Sequence, residues 1–148
     1  MLRLIYGPKL DLLSAEKIAE IQLHAALRMW RESDFVSCIT LAGAAEEILG
    51  KRLRRLGLEP SFDNIKKAVI KIAEKLGETD SNIEREVANL LNQTKNELKH
   101  YEGEDHLEFD LRADAEEMLE RAIANYMMLT NNVHPEILKF WADLGKSN

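Results

Sequence analysis

A chain of 148 residues, 45% hydrophobic and 31% charged, is long enough for one packed domain that buries roughly two thirds of its unfolded surface, so no disulfide or metal staple is needed. Its formal charge of -6 argues against a general nucleic-acid coat protein, and its single cysteine, Cys38, excludes an internal disulfide framework. No apolar run approaches the roughly 18 residues that a membrane span needs, and no secretory leader pattern is visible, so a cytoplasmic setting with no membrane partner is expected.

The charge is unevenly spread. Between Lys51 and Lys75 eight basic residues face three acids, whereas between Leu76 and Glu120 fourteen acids face four bases, so any affinity for phosphate is expected to come from the first of these segments.

Caps and apolar periodicity predict an all-α antiparallel bundle of about five main helices plus a short C-terminal helix, forming a single domain over residues 1–148. After an apolar opening (Leu2, Leu4, Ile5, Tyr6) broken at Gly7-Pro8, Ser14 caps a first helix to about Arg31, with Ile18, Ile21, Ala25 and Met29 on its inner side. The tight polar turn Arg31 to Asp34 makes it a hairpin with a second helix, about Phe35 to Leu56. This one carries Phe35, Ile39, Ala42, Leu49, Leu53 and Leu56 on one stripe and stops at Gly57.

Ser61 is placed as the cap of a third helix, with Ile65, Val69, Ile72 and Leu76 inward and Gly77 as its stop. Ser81 and Glu84 form a capping-box pattern for a fourth helix through His100, buried on Ile83, Val87, Leu90, Leu91, Thr94 and Leu98. A polar acidic loop follows from Tyr101 to Asp110. The fifth helix spans about Leu111 to Asn131, and Pro135 starts a final one anchored by Leu138, Trp141 and Leu144. No period-two strand pattern, internal repeat or low-complexity linker interrupts this reading.

Within the second helix, Ala42-Gly43-Ala44-Ala45 strips bulk from a full turn and predicts a close helix contact, within the chain or across a dimer. Cys38 reads as a small buried apolar residue, His24 as a helix-surface residue, His134 as a helix-start residue and Tyr126 with Met127 and Met128 as core. His100, Glu104, Asp105 and His106 lack the fixed spacing of a metal site, and there is no Gly-rich phosphate loop, so neither metal nor cofactor is expected.

The segment Leu91-Asn92-Gln93-Thr94-Lys95-Asn96-Glu97-Leu98-Lys99-His100-Tyr101 resembles the signature of the HEPN family (higher eukaryotes and prokaryotes nucleotide-binding), an Arg and a polar residue followed by a His after four to six intervening positions. Lys95, Asn96 and His100 occupy those places. Together with the Leu-Ala-Gly-Ala-Ala-Glu-Glu-Ile-Leu run at Leu41 to Leu49 and with Asn125-Tyr126, the pattern is similar to bacterial HEPN-like proteins over roughly residues 14–132.

In catalytic members the resemblance implies metal-independent RNA cleavage by the ribose 2′-hydroxyl. His100 would be the acid or base, Asn96 its orienter and Lys95 the phosphate contact, completed at a homodimer cleft. Lys in place of the signature Arg loses the planar bidentate fork for phosphate. The resemblance therefore implies a non-catalytic module, associated with RNA or with a partner protein in a bacterial defence, toxin-antitoxin or stress system, with a toxin-like endoribonuclease as the alternative.

Overall fold

The computed structural model describes residues 10–78, 81–100 and 108–146. Among them there are seven helices and no strand: α1 Ala15–Arg31, α2 Phe35–Arg55, α3 Ser61–Lys75, α4 Ile83–Leu91, α5 Gln93–Lys99, α6 Leu111–Thr130 and α7 Pro135–Lys146. The apolar opening at Leu2 to Tyr6 and the loop residues Glu104, Asp105 and His106 lie outside the described residues. No described helix is long and apolar enough to cross a membrane.

The core is a three-helix unit in which α1, α2 and α6 pack on one another. Ser14 caps α1 by accepting a hydrogen bond from the Lys17 N–H at 3.0 Å, and Asp34 and Asp110 cap α2 and α6 in the same way. The buried cluster joins Leu23, Leu27 and Trp30 of α1, Ile39, Ala42 and Leu49 of α2, and Leu119, Ala122 and Ile123 of α6. Cys38 is buried beside them, and the loss of water pushes its thiol up to about 12, which leaves it unreactive. Tyr126 is buried and Met127 packs on the core, but Met128 faces outward.

Four sequence expectations are corrected here. The inner side of α1 is Ala19, Leu23, Ala26, Leu27 and Trp30, while Ile18 and Ile21 are exposed. This helix is apolar on both stripes, and the one with Leu23, Leu27 and Trp30 buries the larger side chains. In α3 no residue is fully buried, and Ile72 is 60% exposed, because the helix packs mainly on α4 and only lightly on α6. Leu56, Leu76 and Leu90 are also exposed, and α7 turns Ile137 and Phe140 inward instead of Leu138.

The fourth correction concerns the motif helix. One helix from Ser81 to His100 was expected, but the chain breaks at Asn92 into α4 and α5, and α4 begins at Ile83 with no side-chain cap. The cause lies in α6, where the Arg121 guanidinium donates to the Leu91 carbonyl and to Asn92 Oδ1, both at 3.0 Å. A charged side chain inserted beside a helical ladder is one of the recognised causes of a helix break.

Candidate functional site

The three motif residues sit on α5 and its end, and they part company there. Lys95 points into the bundle and is 7% exposed, whereas Asn96 and His100 face outward. Five positions along a helix are separated by about 140° of rotation, so Lys95 and His100 cannot share a face. The His100 N–H closes α5 on the Asn96 carbonyl at 2.8 Å.

Lys95 enters a buried polar cluster that the sequence reading missed. Its Nζ lies 3.3 Å from Glu47 Oε1 and 3.9 Å from Glu46 Oε2. Glu46 is itself buried, and its Oε1 accepts from Arg121 Nη2 at 3.0 Å. The Arg121 guanidinium lies 5.0 Å from the centre of the Phe62 ring, a cation–π arrangement that covers it further. One α6 turn onward, Asn125 donates to the Glu46 carbonyl and accepts the Ser61 N–H at 2.8 Å. The Ser61 hydroxyl donates to the Arg121 carbonyl at 2.9 Å.

Ser61 is therefore the first residue of α3 and not its cap. Pro60 takes the cap position and supplies no side-chain bond, so Asn125 satisfies an N–H that the helix leaves free. The cluster ties α2, α3, α5 and α6 together at one end of the core.

Gly43 is explained by the same cluster. The neighbour that comes close is the Lys95 side chain, not a helix backbone: a Cβ on Gly43 would stand 2.4 Å from Lys95 Cδ. Gly43→Ala should gain up to about 1 kcal/mol of helix propensity yet displace the lysine, for a net loss of about 1 kcal/mol in a urea titration. Combining it with Lys95→Ala should remove that loss, since the two changes share one space.

Two cavities flank Lys95. One, of about 190 Å³, is lined by Thr94, Asp114, Glu117 and Arg121 among others, and the second, of about 200 Å³, by Glu46, Glu47, Lys51, Arg54, Phe62 and Asn92. Neither lining includes Asn96 or His100. No protein-family model matches the chain, and no curated protein or solved structure matches it either. The chemistry open to the site thus follows from these side chains alone.

A third hollow, of about 400 Å³, lies between the start of α1 and the last turns of α2, lined by Ser14, Ala15, Glu16, Ile48, Lys51, Arg52 and Arg55. Arg52 is held by Glu16 at 2.9 Å, whereas Lys51 and Arg55 have no ion-pair partner among the described residues. Among the described residues no group of three His, Cys, Asp or Glu side chains is placed to hold a metal ion.

Proposed function

We propose that the chain is a HEPN-like helical-bundle protein that works as a non-catalytic binding module, associated with RNA or with a partner protein, in a bacterial defence, toxin-antitoxin or stress system. The observation that carries this reading is the direction of Lys95. A cation that neutralises charge on a scissile phosphate must reach the substrate, and this one is buried against Glu46 and Glu47. The position that would serve phosphate in a catalytic relative serves here as a strut.

Three surfaces support binding. The hollow with Lys51, Arg52 and Arg55 offers cations to a phosphate backbone, in a chain that is acidic elsewhere. The α3–α4 hairpin exposes Ile72, Leu76 and Leu90, which suits a protein partner, and the exposed Ile18 and Ile21 of α1 suit a second copy in a homodimer.

The alternative is a metal-independent endoribonuclease in which exposed His100 and Asn96 act with Lys95 at a dimer cleft. Its support is that His100 and Asn96 are both exposed at the end of α5. Incubating the purified protein with RNA in the presence of a chelator decides between the two. Wild type should cut no faster than His100→Ala, and cleavage that this substitution abolishes would overturn the non-catalytic reading. Sedimentation at micromolar concentration should find a dimer, and a monomer counts against the second-copy assignment.

A further inference from the structure

α7 packs on the three-helix unit through Ile137 and Phe140, with Trp141 and Leu144 partly buried against the core. Phe140 meets Trp30 edge-on at 4.8 Å between ring centres, Ile137 is buried beside it, Trp141 donates to Glu120 at 3.2 Å, and Glu136 pairs with Arg31. The helix begins at a pair of histidines. His134, in the turn before Pro135, has its ring centre 4.1 Å from that of His24 on α1. His24 is half-buried by this contact, not the plain surface residue that helical position alone suggests.

The pair is built around a neutral His24. His134 Nδ1 accepts the Glu136 N–H at 3.1 Å, which gives the start of α7 its cap, and a protonated Nδ1 cannot accept. His24 Nε2 is shut off from solvent with no hydrogen-bond partner, so an imidazolium there would bury a charged N–H with nothing to receive it. Two imidazolium rings about 4 Å apart would also repel each other.

We propose that α7 is a pH-releasable strap, held to α1 while the His24 ring against His134 is neutral and let go when His24 takes up a proton.

The charged surroundings of His24 pull both ways. Glu20 on α1 and Glu136 at the head of α7 favour a proton on the ring, while burial, His134 and Lys17 oppose it. Part of the Glu20 charge is engaged by Lys17 at 3.0 Å and by the Tyr126 hydroxyl of α6 at 3.4 Å, and Glu136 is engaged by Arg31. Burial is the largest influence, and it holds His24 below the usual imidazole range. Docked α7 therefore binds fewer protons than released α7, and docking weakens as pH falls from about 6.5 toward the lowered His24 value. Arg31 holds the Glu136 carboxyl below its ordinary range, so that ion pair survives throughout this window.

The strap is independent of what the bundle binds, and hydrogen exchange on the full chain tests it. With exchange corrected for the chemical effect of pH, protection of residues 135–146 should fall roughly threefold or more between about pH 7.5 and about pH 5.5, with α2 and α6 unchanged. His24→Phe keeps a ring against His134 but cannot titrate, and His134→Asn keeps a capping acceptor. The first should flatten the response, and the second, which thins the cover over His24, should shrink it.

An α7 that keeps its protection in wild type, or a His24→Phe protein that loses it as wild type does, overturns the proposal. Histidine NMR on wild type supplies a second reading should the variants fail to fold. His24 must titrate below the usual imidazole range and in step with the loss of α7 protection, and titration at or above that range also overturns it.

Discussion

Replacing Arg121 by methionine should destabilise the bundle by about 3 kcal/mol, read as a lowered urea midpoint at unchanged slope. The arginine is 2% exposed and serves three acceptors on three segments: Glu46 in α2, the Leu91 carbonyl at the end of α4, and Asn92 at the break before α5. Methionine fills most of the volume, so the cost is one of polarity, not of packing. Glu46 keeps only Lys95, at 3.9 Å, and the Leu91 carbonyl and the Asn92 side chain each lose a donor.

The double replacement with Glu46→Met should recover a large part of the loss, because a buried pair removed whole costs far less than one left half made. A single-variant loss under about 1 kcal/mol would mean that the cluster is wetter than its burial implies. Apart from stability, Arg121→Met should also loosen α5, and with it the orientation of Asn96 and His100.

Where a helix is fixed by its own residues, the sequence reading located it well. Asp34 and Gly57 bound α2, Asp110 begins α6, and the inward stripe Ile39–Ala42–Leu49–Leu53 follows the helical period. Where the cause is distant, the reading failed. The break at Asn92 is made by Arg121, and the first N–H of α3 is met by Asn125, neither of which a local pattern can display.

The polar cluster did leave a trace. Glu46 lies on the same stripe as Ala42 and Leu49, and Arg121 and Asn125 lie on the stripe of Met118 and Ala122, so charged and amide groups stand where period alone demands apolar ones. Residues of that kind are buried only when paired. The same holds for Lys95, four residues after Leu91, whose inward place on α5 requires an acid such as Glu46 or Glu47 of α2.

Phe140→Ala should detach α7 at neutral pH. Truncating a fully buried phenylalanine costs about 3 to 5 kcal/mol, and here the ring is one of only two fully buried apolar side chains that α7 contributes. Ile137 stays buried and Trp141 and Leu144 stay partly so, while the Arg31–Glu136 pair and the Trp141–Glu120 bond are at least partly exposed and together add about 1 to 2 kcal/mol.

Loss of the edge-on contact with Trp30 should flatten the near-UV circular dichroism, and exchange protection over residues 135–146 should vanish while α2 and α6 keep theirs. The cost then appears as local release and not as a shift of the whole unfolding curve, since α1, α2 and α6 keep their shared core. The variant at neutral pH should therefore resemble wild type in mild acid. If Phe140→Ala instead unfolds the entire bundle in one transition at a correspondingly lower urea concentration, α7 belongs to the cooperative core and cannot act as a strap.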